Sequence, residues 1–474
     1  MLIPWRSTKA VLALHLVLLL LASLTLGCGG GVKSSSVSTP QEPGIPTVSI
    51  SSDKTSVLAG ESATLTWTSS QATSVSINNG IGAVEASGSR VVQPSAPGTT
   101  YTVTATGAGG SATASVAIQV SDTRSPVKHV IVVVMQNRSF DHLFGTFPGT
   151  HRPQAGDPGF TQTDANGVTV TPFPLKTFSH INLDHSHQAF VTMVDGGKMD
   201  KFALVNTATA MGFYDNSVPG IDGIWGLAQQ FALADNFFAS VLGDAPTNQL
   251  YMVAASDDNF AFGIEPIFGP CNDPDPSAKP YTFPNVGDQL SAKKIGWAWF
   301  SEKFGVCSDY QENQSPFQYF TSTHDSGNIQ DLSQFTAKLA NGTLPPVSFI
   351  QPTDPHAMHP SSSEDVSVGA RWLTTLVTQI QNSSVWPDTA IIVVWDSSGG
   401  WYDHVPPPVV DGQGFGPRVP MLVISQFGKR NYISHVQMDD TSILKFIQWN
   451  WGLPSLNARN DSTASGDLRD MFQF

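Results

Sequence analysis

Two stretches of the chain run from apolar residues straight onto side chains that can hold a cation or a phosphoryl group. In "TAIIVVWDSSGGWYDHVPPP" the apolar run Ile391 to Trp395 stops at Asp396, followed by Ser397, Ser398 and the Gly399–Gly400 pair. In "VKHVIVVVMQN" a similar run stops at Gln136 and Asn137. Runs apolar on both faces read as strands buried in a parallel sheet. Ligands of open α/β sheets gather at the carboxyl ends of such strands. An acid delivered to a glycine-rich turn suits a metal or catalytic site, but only one acid arrives at this one.

These residues carry a family resemblance. From about Val127 to Phe474 the chain resembles the bacterial phosphoesterase family of secreted phospholipases C and acid phosphatases. The resemblance rests on "MQNRSFDHLFGTFPG", "GGKMDKF", "LADNFFASVLGDAPTNQLY", "WDSSGGWYDHVPPP", "GFGPRVPMLVIS" and "DTSILKFI", in the family's order. It implies an alkaline-phosphatase-like α/β fold. It also implies a metal-assisted attack of a hydroxyl nucleophile on phosphorus, in which the metal activates the hydroxyl and neutralises charge on the phosphoryl oxygens.

The family's metal site uses a Glu and the following Asn, a Ser or Thr nucleophile, and two consecutive aspartates. Carried over by position, the Glu becomes Gln136 while Asn137 is kept. The nucleophile motif keeps Gly243, Asn248 and Tyr251, but its hydroxyl position is Ala245. The aspartate pair becomes Asp396 and Ser397. Two negative charges and the attacking oxygen are thereby removed. Charge count controls affinity for hard cations, so Gln136, Asn137, Asp396 and Ser397 are expected to hold a divalent ion weakly. A rebuilt site stays open as an alternative, with Thr247 as nucleophile and Asp244 as an added carboxylate. The bland reading of Thr247 is a turn hydroxyl bonding its own backbone.

The resemblance also implies that His185 and His187 in "LDHSHQAF" contact phosphate beside Asn248, and that His359 in "PHAMHP", rather than His356, lies in the pocket. His185 and His187 at i and i+2 of a strand would share a face, which leaves a separate zinc site open; packing histidines are the other reading. Asp403 and His404 form a pair able to orient an imidazole as acid or base, with Asp403 bracing "VPPP" and His404 facing the pocket. Asp141 and His142 are expected to brace the first turn, and Arg138 to hold an internal carboxylate. Asp257 and Asp258 read as a solvated loop, with a calcium site as the alternative.

The elements that position these groups follow from periodicity. "VKHVIVVVM", "IGWAWF", "VSFIQP", "TAIIVVWD" and "VPMLVIS" are short buried strands. "GARWLTTLVTQIQN", with Trp372, Leu376 and Ile380 on one stripe, and "DTSILKFIQWNWG", with Ile443, Ile447, Trp451 and a C-cap at Gly452, are helices. Strands alternating with helices predict an α/β, doubly wound, mostly parallel sheet over residues 126–474. Residues 47–121 instead alternate apolar and polar, with turn residues every ten or so positions and Trp67 as a core residue. This segment resembles bacterial immunoglobulin-like sandwiches, and reads as a spacer in preference to an adhesive module.

Arg6 and Lys9 precede an apolar region from Ala10 to Leu26, so residues 1–27 read as a secretory signal peptide. Cys28 follows a small residue and is expected to carry lipid, an ordinary signal peptidase cut being the alternative. Residues 28–46 read as a flexible tether. The protein is therefore expected to be an exported lipoprotein, anchored in a bacterial membrane. Of the three cysteines in the chain, Cys271 and Cys307 then remain as a pair, able to form one disulfide in an oxidising compartment or to stay as two thiols. A formal net charge of −14 disfavours nucleic-acid partners. The expected partner is a phosphate ester or phospholipid. The expected activity is hydrolysis of a phosphoric ester, with a ligand-binding, catalytically degenerate relative or a surface adhesion protein as alternatives.

Overall fold

The computed structural model describes residues 44–178, 182–257, 268–271, 279–310, 314–360 and 365–474. Residues 1–43, on which the expected signal peptide, lipidated Cys28 and most of the expected tether fall, and Asp258 lie outside the described residues. No helix among the described residues is long and apolar enough to cross a membrane.

The larger part of the chain is built on one eight-stranded sheet. Its strands are β1 (His129–Met135), β2 (Ala232–Ala234), β3 (Trp297–Ser301), β4 (Ile329–Asp331), β5 (Val347–Gln351), β6 (Thr389–Trp395), β7 (Met421–Ser425) and β8 (Tyr432–Ser434). Their spatial order is β4-β3-β5-β1-β6-β7-β2-β8. The five strands from β4 to β6 are mutually parallel. Only β7 runs against its neighbours, being antiparallel to both β6 and β2. All five strands read from the sequence are present. The short β2, β4 and β8 were not foreseen, because three residues give no measurable period.

Every residue of β6, and every residue of β1 after His129, is buried. A strand buried on both faces is stabilised by roughly 1.5–3 kcal/mol for each large apolar side chain removed from water. Such a run must therefore lie at the centre of the sheet. Helix α4 (Val366–Gln381) buries Leu376 and Ile380 and leaves Trp372 half-buried. Helix α5 (Asp440–Trp451) buries Ile443, Ile447 and Trp451 and closes at Gly452 in the left-handed conformation, as its sequence requires.

Residues 47–121 form two further sheets, one of three strands and one of five. They enclose a separate core around Leu65, Trp67, Val103 and Ile118. The Trp67 indole N–H donates to the Glu85 carbonyl at 3.0 Å. The connection to the larger unit is bonded along its length. Arg124 N–H donates to the Asn450 carbonyl at 2.8 Å, and the Ser125 hydroxyl to Asn450 Oδ1 at 2.7 Å. Arg124 also pairs with Glu61 of the sandwich at 2.6 Å. Cys271 and Cys307 are joined in a disulfide, their Cα atoms 5.2 Å apart.

Candidate active site at the strand ends

Register places the first two site segments side by side. In the parallel pair β1–β6, Met135 lies opposite Trp395, so Gln136 and Asp396 leave adjacent strands at the same level. The Asn137 backbone N–H donates to Asp396 Oδ1 at 3.3 Å, and the Asp396 N–H donates to the Met135 carbonyl at 3.0 Å. Asn137 sits at φ +60°, a left-handed conformation that Asn tolerates better than most residues. Gly399 packs over it: a Cβ there would fall 2.3 Å from the Asn137 carbonyl oxygen, and Gly399 itself has φ +62°. The glycine of this turn is thus required by close approach as well as by backbone angle.

The third segment is helix α3 (Ala245–Ala254), capped by Asp244. The Thr247 hydroxyl donates to Asp244 Oδ1 at 2.8 Å and is fully buried. Its partner is thus the side-chain carboxylate of the helix cap, where a backbone group had been expected. Asn248, expected at the ligand, instead pins the turn. Its Oδ1 accepts from Val241 N–H at 3.0 Å, and its Nδ2 donates to the Gly243 and Asp244 carbonyls at 3.1 and 3.0 Å. The contact between α3 and Asp396 is made by Gln249, whose Nε2 donates to Asp396 Oδ2 at 2.9 Å. Gln249 was not anticipated, although it lies one helical turn beyond Ala245, and that i, i+4 spacing was its only signal.

Gln136, Asn137, Ala245, Thr247, Gln249, Asp396 and Ser397 are all buried. The Ser397 hydroxyl accepts from Gly399 N–H at 3.3 Å. Among the described residues, Gln136 Nε2, Asn137 Oδ1, Gln249 Oε1 and Ser398 Oγ are buried without a hydrogen-bond partner. Such groups cost free energy unless something binds them. Asp440, also unforeseen, adds a second buried acid. The Ser240 hydroxyl donates to its Oδ2 at 3.0 Å, while Oδ1 has no partner. Burial, then the charges of Asp439 and Asp396, push its carboxyl well above the usual range.

Burial pushes the Asp396 carboxyl up from 3.8 to about 7, against the lowering effect of the Gln249 and Asn137 bonds. The folded protein therefore binds this proton more tightly than the unfolded chain does. Stability falls as pH rises from about 4 to about 7, and the cost is fully present above that interval. Asp396→Asn removes the titration. Its stability relative to the native chain is expected to rise across the interval and level off beyond it, as read from urea midpoints at about pH 5 and about pH 8. Parallel pH profiles for the two proteins would contradict this account.

His359 is carried to the same end of the sheet. Gln136 N–H donates to the Ala357 carbonyl at 2.9 Å and Arg138 Nε to the Met358 carbonyl at 2.8 Å. Arg138 thus bonds a carbonyl, its Nη1 lies 3.1 Å from His142 Nε2, and the Asp354 carboxylate acts on it electrostatically. The His359 and His185 rings lie 5.8 Å apart. Burial, then His185 and Arg138, lower the His359 pKa from 6.5 to about 4, so it is neutral at pH 7. His356 is paired with Glu302 at 2.8 Å. The shared strand face expected for His185 and His187 is absent, because His187 opens helix α2 (His187–Val194) behind the Ser186 cap. His185 Nδ1 lies 2.6 Å from the Leu183 carbonyl and His187 Nδ1 2.5 Å from the Leu242 carbonyl. Asp257 is buried beside the Tyr251 hydroxyl, where a solvated loop had been expected.

His404 is held in a buried network with Asp141, Asp403 and Arg418. Its Nδ1 and backbone N–H both face Asp141 Oδ2, at 2.7 and 2.8 Å. Arg418 Nε donates to Asp403 Oδ1 at 2.8 Å and Nη2 to Asp141 Oδ1 at 2.9 Å. Asp403 also accepts from Val405 and Asp141 N–H groups at 3.0 and 3.2 Å, the bracing role expected of it. Asp141, Asp403 and His404 lie close enough together to hold a metal ion. Arg418, 2% exposed, already supplies the positive charge between the two carboxylates.

Residues 127–454 match the Phosphoesterase family, and the chain belongs to it. Phospholipase C B of Mycobacterium tuberculosis is 29% identical over 419 residues, covering 73% of this chain and 78% of that protein. Non-hemolytic phospholipase C of Pseudomonas aeruginosa is 26% identical over 407 residues, covering 73% of this chain and 57% of that protein. Among solved structures, a protein in the alkaline phosphatase superfamily from Vibrio parahaemolyticus aligns at 11% identity and a TM-score of 0.35, over 71% of this chain and 69% of that one.

Proposed function

We propose that this chain is an exported phosphoesterase-family protein that recognises a phosphate ester, a phospholipid or a phosphomonoester, at the Asp396 turn, and that metal-assisted hydrolysis at that turn has been lost. The reading is carried by one observation. The carboxylate at the turn, Asp396, is bonded to the Gln249 amide, while the family's hydroxyl position is Ala245. The Thr247 hydroxyl donates to Asp244, and a Thr247→Ala variant that keeps any turnover of the native chain would exclude this hydroxyl as a replacement nucleophile. The ligand class comes from the relatives named as phospholipases C. His359 and His185 would contact the phosphate from the side. Lipid on Cys28 would hold the protein at a bacterial membrane, with the immunoglobulin-like sandwich as a spacer and an alkaline-phosphatase-like sheet as the scaffold.

The donor set fits a divalent ion held weakly. Asp396 offers one charged oxygen, and the unpartnered Asn137 Oδ1 and Gln249 Oε1 offer neutral ones. An ion bound there would neutralise charge on the phosphoryl oxygens. Those unpartnered oxygens also favour a second reading, slow metal-assisted hydrolysis. The two readings separate in one experiment: hydrolysis of an aryl phosphate and of phosphatidylcholine, with and without added divalent ions, alongside thermal shift with the same compounds. The expected result is a rise in melting temperature without turnover. Metal-dependent turnover abolished by Asp396→Asn would establish the second reading. Neither shift nor turnover would leave an adhesion protein.

A further inference from the structure

Beyond the Asp396 turn, a second group of metal-ligating side chains has no place in the reading above. His404 presents Nδ1 to Asp141, and its Nε2 points away, 2.8 Å from Nδ1 of His151. His151 is half exposed, and its Nε2 lies 3.9 Å from Asp157 Oδ1. One ligand atom from each of His151, Asp157 and His404 falls within 4.8 Å of the others. Nothing in the Asp396 group bonds to any of the three among the described residues.

We propose that His151, Asp157 and His404 form a second metal site, for a borderline divalent transition ion such as zinc. Two imidazoles and one carboxylate are the ligands that zinc, cobalt or nickel prefer over magnesium or calcium. Three protein ligands leave a fourth position for water or an anion.

The support around His404 is what separates this cluster from a chance surface pair. Metal-bound histidines characteristically donate the other ring N–H to a carboxylate, which fixes tautomer and ring orientation. Asp141 does this for His404, and Arg418 and the His404 backbone N–H hold Asp141 in turn. Asp157 is also fixed, its Oδ2 accepting from Gln154 N–H at 2.9 Å. Two ligands are thus oriented in advance, and only His151, on the surface, needs to settle. Each imidazole must offer a ring nitrogen without a proton to the metal, so protons compete with the ion and binding strengthens as pH rises. Asp141 also lines a cavity of about 220 Å³ with Arg152, Phe160, Met211 and Tyr402, which leaves room for a ligand beside the cluster.

The test is a cobalt(II) titration read by its visible absorption, with zinc as competitor. The native protein is expected to give a tetrahedral cobalt band that zinc abolishes. His151→Ala, which alters an exposed side chain, is expected to lose the band. Asp157→Asn, which keeps the contact to Gln154, is expected to weaken binding by about 10-fold or more. Asp396→Asn should leave the band unchanged, which keeps this result separate from the fate of the Asp396 turn. A native protein without the band, or a His151→Ala variant that titrates like the native chain, would overturn the proposal.

Discussion

Arg418→Met is expected to destabilise the protein by about 3–5 kcal/mol, because it leaves two buried carboxylates without their cation. Arg418 bonds Asp403, Asp141 and the Asp235 carbonyl, and stacks over the Phe140 ring at 4.7 Å. Asp403 is fully buried and its carboxyl is already raised by burial, with Arg418 the largest opposing influence. Removing that influence raises it further, and the folded state must then take up a proton or keep an unpaired charge. The loss should therefore shrink as pH falls, since the folded state takes up the proton more readily. Adding Asp403→Asn to Arg418→Met should restore part of the stability by removing one of the two charges. Urea unfolding of the three variants measures all of this. A single variant within about 1 kcal/mol of the native protein would show that the network is exposed to water in solution.

The second large effect is a gain. The triple change Gln136→Glu, Ala245→Thr, Ser397→Asp is expected to create a stoichiometric divalent-ion site. The parallel register sets positions 136 and 397 beside Asp396, and Gln249, one helical turn beyond Ala245, brings α3 against the same carboxylate. Without metal the added carboxylates crowd a carboxyl already pushed up to about 7. The apo variant should therefore be less stable than the native chain. Saturating metal should return about 2.7 kcal/mol at a free concentration 100 times the dissociation constant. Single changes should do much less, since groups that act as a unit are far from additive. Calorimetric titration and melting temperature report the outcome without reference to turnover. A triple variant that binds no ion would mean that the three positions do not face a common point.

The sequence by itself determined the five long strands and the helices α4 and α5 of the larger unit, because their signals are local. A run such as Ile391 to Trp395 can only be satisfied inside a sheet, and Gly452 stops a helix whichever partner the helix packs on. The position of the Asp396 turn was equally legible, since register and parallel pairing carry Gln136 and Asp396 to one level once both runs are central strands. What each polar side chain does there was decided by contacts distant in sequence. Gln249 reaches Asp396 across 147 positions, and His404 meets Asp141 across 263 and His151 across 253. No period or motif encodes such pairs. They follow from how loops at the strand ends pack over one another, where a buried polar atom takes whichever partner lies within hydrogen-bond reach. For that reason Asn248 bonds the turn backbone, Thr247 bonds the Asp244 cap and His404 bonds Asp141. All three have residue types equally suited to catalysis, and only the tertiary structure distinguishes the roles.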